Sequence, residues 1–283
     1  MTAKLGIIGY PIGHSISPVF QQAALDHCGI DATYQAFEVT PDQVGQFIQD
    51  LRMPDVMGIN VTVPHKEAVV PHLDEVDDWA TSAGAVNTIV NRDGRLTGHN
   101  TDGSGFLRAL REEHGFAPRG HRVLVLGAGG AARGVVLALV REQVAGLIIA
   151  NRTVDRAQGL ADLARTQGTD CRAIPLDGAD LATAAATAEL IVNCTTIGMS
   201  HGPNEAGSPL SPEQIPPTAL VNDLVYNPQQ TPLLRAAEQA GAGRLGGIHM
   251  LVYQGAASFE MWTGRDAPVS VMLEAATRAM AAR

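Results

Sequence analysis

Lysine is almost missing from this chain. Among 283 residues only Lys4 and Lys66 occur, against eighteen arginines. Guanidinium stays protonated throughout the working pH range, whereas an ammonium can give up a proton when desolvated. Lys66 is therefore either a leftover surface charge or a group that must move a proton, and its neighbours have to decide. Cysteine is also scarce. Cys28, Cys171 and Cys194 are odd in number, widely spaced and free of any C-x-x-C pair, which excludes a disulfide framework and a zinc knuckle and leaves buried thiols in a reducing cytoplasm. Positive charge is in deficit too, with a formal net charge of −9 and a pI near 5.4. That argues against nucleic acid or an anionic membrane as the main partner, so any anionic ligand must be caught by local geometry. No apolar run approaches a membrane span, and the first residues lack the basic and apolar regions of a signal peptide. The nine histidines show no i, i+3 or i, i+4 pair within a carboxylate framework, so no metal site is expected. A cytoplasmic monomer or homodimer acting on a small molecule is the expectation.

What is present is enough apolar residue, 45%, to fill two cores, and two domains is the expectation at this length. Lys4 to Gly9 reads as a buried strand, and Ser17-Pro18 offers an N-cap with proline at N1 for a helix toward Cys28. The alternating stretch Thr33 to Val39 reads as a second strand, Thr40-Pro41 as the cap of a second helix, and Gly58 to Val61 as a third strand. A hairpin then turns at Asp93-Gly94, Thr101-Asp102 caps a helix to about Glu113, and Pro118-Arg-Gly120 leads into a second unit. There, strand candidates 122–126, 147–150, 171–174, 190–194 and 220–224 alternate with Ala-rich helical stretches, the pattern of a doubly wound parallel sheet. Thr231-Pro232 caps a further helix, Gly241 to Gly247 reads as a flexible join, and helices 248–263 and 268–282 close the chain by returning to the first domain. The expected fold is α/β, with residues 1–103 plus 248–283 as one domain and 104–247 as a Rossmann-type second.

Gly127-x-Gly129-x-x-Ala132 follows a predicted strand and opens a predicted helix, the context that makes a glycine pattern meaningful. Gly127 permits the tight turn, and Gly129 lets backbone approach a pyrophosphate. Ala132 allows close packing, and the amides of Ala128, Gly129, Gly130 and Ala131 lead into a helix N-terminus suited to an anion. An NAD-binding unit of this kind carries an acidic residue about twenty residues further on, for the ribose hydroxyl. Here stand Asn151, Arg152 and Thr153, with Arg156 one helical step later. Two guanidinium groups and a hydroxyl suit a 2′-phosphate, so NADP(H) is favoured over NAD.

Outside that unit, small polar residues crowd glycine- and proline-shaped loops: Ser15 and Ser17, Asn60 and Thr62, Asn87 and Thr88, Asn100 and Asp102. Loop capping explains any one of them. Four such loops at strand ends better suit a small polyhydroxylated ligand, whose discrimination depends on leaving no buried polar group unpaired.

The segments 9–18, 60–66, 83–88 and 98–102, with 127–133, 151–153, 226–228 and 250–254, resemble the shikimate dehydrogenase family in order and over nearly the whole chain. The resemblance implies an N-terminal substrate domain, an NADP-binding domain, and reversible reduction of 3-dehydroshikimate to shikimate by NADPH; a relative that also accepts quinate, or a silent NADP-binding sensor, is the alternative. It implies Lys66 as proton donor and acceptor, oriented by Asp102. It further implies Ser15 and Ser17 on the substrate carboxylate, Thr62, Asn87, Asp102 and Gln254 on ring hydroxyls, and Tyr226 lining the cleft. Asn60 would order the substrate loop. Leu224, Gly247 and Asp78 would face the nicotinamide. Phe20-Gln21-Gln22 stands where the family commonly has a His-Asn pair, and Gly246-Gly247 where it has Asp-Gly.

Overall fold

A computed structural model describes residues 2–282. The chain forms two compact units, one running to Gly105 and resuming at Leu251, the other spanning Phe106–Met250. In the first, β1 (Ala3–Gly9), α1 (Ser17–His27), β2 (Ala32–Glu38), α2 (Val44–Asp50), β3 (Gly58–Val61), β4 (Glu75–Val76), α3 (Asp78–Ala83), β5 (Thr88–Arg92) and β6 (Arg95–His99) follow in order. The sheet order is β2-β1-β3-β5-β6-β4. β2, β1 and β3 run parallel, and β5 is antiparallel to β3 and β6 on either side. One face buries Ile8, Ile59, Val61, Ile89 and Leu96 with Val44, Ile48 and Leu51 at and after α2. Asp93 and Gly94 both have positive φ, as a two-residue hairpin turn requires.

Two helix starts differ from the sequence expectation. Ser17 is the first residue of α1, not its cap; Ile16 holds the cap position, and Ser15 Oγ accepts from Ser17 N at 3.2 Å. Thr40 is spent on a turn, its N–H donating to Gln43 Oε1 at 3.1 Å and its hydroxyl to Asp42 Oδ1 at 2.6 Å, so α2 begins only at Val44.

The second unit contains most of α4 (Asp102–His114), then β7 (Arg122–Leu126), α5 (Gly130–Arg141), β8 (Gly146–Asn151), α6 (Val154–Thr166), β9 (Cys171–Pro175), α7 (Gly178–Thr187), β10 (Leu190–Asn193), β11 (Leu220–Asp223), α8 (Pro232–Gln239) and β12 (Gly243–Gly246). Its sheet is wholly parallel, in the order β12-β11-β10-β7-β8-β9. This is the doubly wound arrangement, with the strand order reversing between β7 and β10. The strands read as apolar runs because both faces are covered.

The expected flexible join at Gly241–Gly247 is instead mostly β12, laddered to β11 from Leu220↔Gly243 to Asp223↔Gly246. Glycines supply no side-chain pattern, so the strand is silent in sequence; the ladder and the Asn222 Nδ2 bond to Leu245 O at 3.0 Å hold it. The chain closes with α9 (Gly247–Thr263) and α10 (Val269–Ala281), and α10 packs on α1 within the first unit. Among the described residues no helix is long and apolar enough to cross a membrane.

Candidate active site

Lys66 lies on the loop after β3, and two backbone anchors hold that loop. Val86 N donates to Lys66 O at 2.8 Å. Next to it, the buried His65 ring meets Val39 O through Nε2 at 2.6 Å, and because a carbonyl only accepts, Nε2 carries the hydrogen. Asp102 opens α4, its N–H donating to Asn100 Oδ1 at 3.0 Å. With both backbones placed, Lys66 Nζ sits 2.5 Å from Asp102 Oδ2, the two side chains 29% and 18% exposed. The pair is open enough to meet a ligand and closed enough to keep its geometry.

The amides around the pair are oriented by partners with a single role. Thr101 N can only donate, so Asn87 turns Oδ1 toward it at 2.8 Å. Asn87 Nδ2 then faces Asp102 Oδ1 at 2.8 Å and Thr101 Oγ1 at 2.9 Å, with Gln254 Oε1 at 3.3 Å. Asn87 O can only accept, so Asn60 offers it Nδ2 at 3.1 Å and also donates to Ser258 Oγ at 2.9 Å. Asn60 Oδ1 is left to accept from Tyr34 Oη at 2.7 Å. Gln254 Nε2 donates to Leu251 O at 2.7 Å, which directs its Oε1 toward Asn87. Burial pushes the Tyr34 phenol well above its ordinary range, so it stays a neutral donor.

Lys66, Asp102, Asn87 and Gln254 thus meet in one hydrogen-bonded cluster, whereas Asn60 lies buried with both amide atoms engaged by protein groups. Ser15 and Thr62 sit on the loops after β1 and β3, which are tied by Tyr10 N to Val63 O at 3.1 Å and Thr62 N to Ile8 O at 2.9 Å, and Ser17 follows as the first residue of α1. Asp78 is exposed in the first turn of α3, in the first unit; Tyr226, Leu224 and Gly247 belong to the second. Tyr34 and Ser258 escaped sequence reasoning. Ser258 had a legible signal, since it follows Gln254 by four residues and so shares its helix face.

In the second unit Gly127 has φ +108, and a Cβ there would come within 3.0 Å of the Cys194 carbonyl carbon at the end of β10. Only glycine makes this turn without displacing that segment. A Cβ on Gly129 or Gly130 would meet nothing within 4 Å, and α5 begins with neither a side-chain cap nor an acid in its first turn. Its leading amides therefore have open space before them and the helix dipole behind, which fits a pyrophosphate. Beyond β8, Asn151 Nδ2 donates to Thr153 O at 2.8 Å and shapes the turn into α6. The Thr153 hydroxyl makes no cap bond, and Arg152, Thr153 and Arg156 are exposed around it. These residues fit a 2′-phosphate.

Sequence reasoning also passed over a buried carboxylate, Asp223, at the end of β11. Burial pushes its acid range up, while Thr231, Val225 and Asn193, all donating to it, oppose that rise. Burial pushes the Cys171 thiol up to about 12 and also raises that of Cys194, which keeps both from the reactive thiolate form.

Comparison with known proteins fits this geometry. Residues 7–89 match the model of the shikimate dehydrogenase substrate binding domain, 111–201 that of shikimate/quinate 5-dehydrogenase, and 247–277 that of the shikimate 5′-dehydrogenase C-terminal domain. A shikimate dehydrogenase (NADP+) of Methanopyrus kandleri is 48% identical over 276 residues, covering 97% of this chain and 94% of its own. The Thermus thermophilus shikimate 5-dehydrogenase, solved with NADP(H) and shikimate, superposes with a TM-score of 0.87 at 38% identity, covering 98% of this chain and 99% of its own. The Listeria monocytogenes enzyme, solved with shikimate and NAD, gives a TM-score of 0.91 at 35% identity over 96% of each chain.

Proposed function

The chain belongs to the shikimate dehydrogenase family, and on that premise we propose that it catalyses the reversible NADP(H)-dependent reduction of 3-dehydroshikimate to shikimate, a step toward chorismate and the aromatic amino acids. The observation that carries the reading is the Lys66–Asp102 pair, a proton donor held at 2.5 Å by a carboxylate within a cluster of neutral donors and acceptors. A silent nucleotide sensor would have no need of such a pair.

NADPH, when bound, supplies the hydride for the C3 carbonyl carbon. Lys66 Nζ delivers the proton to the C3 oxygen and takes it back in the oxidative direction. Asp102 holds the ammonium in place through Oδ2, and its other oxygen is steadied by Asn87. Ser15 and Ser17 hold the substrate carboxylate. Thr62, Asn87, Asp102 and Gln254 recognise ring hydroxyls, with Tyr226 lining the same ligand. Each of these groups is neutral except the pair, so ring hydroxyls are matched by hydrogen bonds and not by net charge.

Cofactor binding is assigned to Gly127, Ala128, Gly129, Gly130 and Ala131 at the pyrophosphate, to Asn151, Arg152, Thr153 and Arg156 at the 2′-phosphate, and to Leu224, Gly247 and Asp78 toward the nicotinamide. The enzyme works in the cytoplasm as a monomer or homodimer. Steady-state kinetics with shikimate and quinate, each against NADP+ and NAD+, test the reading. A clear preference for shikimate with NADP+ is expected. Equal or better turnover of quinate with NAD+ would replace it, and NADPH binding without turnover of either acid would support the sensor.

A further inference from the structure

Around the reversal of strand order in the second unit, β7, β10 and β11 end side by side, and three turns leave their carboxyl ends: Gly127–Gly130, Cys194–Thr195 and Leu224–Tyr226. Ligands of doubly wound sheets bind in this region. Beneath the turns lies Asp223, the last residue of β11, with no solvent exposure. Its Oδ1 accepts from Asn193 Nδ2 at 2.9 Å and from Val225 N at 3.0 Å, and its Oδ2 accepts from Thr231 Oγ1 at 2.6 Å. Thr231 is the N-cap of α8 and itself accepts from Leu234 N at 3.2 Å, so its one hydrogen is left for Asp223.

The bonds continue outward. Asn193 Oδ1 accepts from Thr195 N at 3.0 Å and Thr195 Oγ1 at 2.7 Å, which fixes the amide with Nδ2 toward Asp223. Leu224 N donates to Asn193 O at 3.0 Å, and Cys194 N to Leu126 O at 2.7 Å. On the far side, a Cβ on Gly247 would lie 2.2 Å from Leu224 O, so the Leu224 peptide is packed directly on the start of α9. The Gly127 turn abuts Cys194 in the same way. A buried carboxylate costs several kcal/mol unless its oxygens are fully bonded. What it provides here is two acceptor oxygens that serve three chain segments at once, which no apolar residue can do.

We propose that Asp223 is the positioning residue of the cofactor site, holding the Leu224–Tyr226 turn and, through Asn193, the Cys194–Thr195 turn in the arrangement that receives the nicotinamide end of NADP(H). The proposal rests on the NADP(H) reading above. Asp223 touches no reacting atom and acts through the turns it bonds.

The test uses the full-length enzyme and its Asp223→Ala and Asp223→Asn variants, with NADPH affinity read by fluorescence titration and KM measured for each substrate. For Asp223→Ala the dissociation constant of NADPH and the KM for NADP+ rise about tenfold or more, the loss of one to two buried hydrogen bonds. The KM for shikimate changes little. Asp223→Asn keeps one oxygen for Val225 N and Asn193 and can donate its amide to Thr231 Oγ1, so it restores most of the affinity. Unchanged NADPH affinity in a folded Asp223→Ala enzyme, equal rises in both KM values, or an Asp223→Asn enzyme as impaired as Asp223→Ala would overturn the proposal. If Asp223→Ala does not fold, Thr231→Val, which removes one donor to Asp223 together with the cap bond of α8, carries the test: a selective rise in the KM for NADP+ supports the proposal and an unchanged value overturns it. Failure of the unmodified enzyme to bind NADPH would overturn the cofactor reading and this inference together, an outcome distinct from any seen only in the variants.

Discussion

Asp102 divides its two oxygens between two partners: Oδ2 stands 2.5 Å from Lys66 Nζ, and Oδ1 accepts from Asn87 Nδ2 at 2.8 Å. The lysine is thereby linked to an amide whose own direction is set by the Thr101 backbone. Lys66→Ala should lower kcat by about a hundredfold to ten-thousandfold, the usual worth of positioned acid catalysis, while the KM for shikimate moves much less. Lys66→Arg should fare little better, because guanidinium keeps its proton. Steady-state kinetics in both directions check this, and near-normal turnover of Lys66→Ala would remove the lysine from the mechanism.

Gly105 lies on α4 where a Cβ would come 2.5 Å from Gln254 N and 2.7 Å from Gln254 Cα. Gly105→Ala must therefore push α9 aside at the residue whose Oε1 faces Asn87. Overpacking of this kind costs about 1–3 kcal/mol. The expected result is a lower Tm together with a raised KM for shikimate, read by thermal denaturation and kinetics; an unchanged KM would separate Gln254 from the substrate.

Arg152 and Arg156 are exposed about the turn into α6. A hydrogen bond to a charged group is worth about 1.5–3 kcal/mol. Replacing either arginine with alanine should thus raise the KM for NADP+ by about tenfold or more and leave that for NAD+ nearly unchanged. Parallel titration of the two nucleotides decides the matter, and equal losses for both would argue against a 2′-phosphate contact.

The Cys171 thiol is pushed up to about 12 by burial, and that of Cys194 is also raised by burial. The thiolate is the reactive form, and it is present only as pH approaches the raised value. Native protein treated with a maleimide at neutral pH should therefore be modified at Cys28, which is partly exposed, and not at the buried Cys171. Denaturation should open all three. Mass spectrometry of the labelled peptides reads the pattern, and rapid native labelling of Cys171 would contradict its burial.

Much of this molecule was legible in one dimension. The glycine turn was readable because Gly127-x-Gly129-x-x-Ala132 follows an apolar strand, and the five strand candidates of the second unit because both-sided burial leaves continuous apolar runs. Lys66 was conspicuous by composition. β12 was not legible, since Gly243 and Gly246 carry no pattern and only the ladder to β11 makes them a strand. Nor was the start of α1, where Ser15 rather than Ser17 supplies the accepting hydroxyl.

The sequence by itself determined the class of chemistry, the two-unit α/β plan and the residues able to move a proton or meet a phosphate, because these depend on residue type and short-range spacing. Tertiary structure alone decided which of them meet. Lys66 and Asp102 are thirty-six positions apart, and Asn87 and Gln254 one hundred and sixty-seven. Tyr34, Ser258 and Asp223 gain their meaning only from partners on other strands and helices. Hydrogen bonds are satisfied in space, by donors and acceptors the fold brings within about 3 Å, and no local pattern records that pairing.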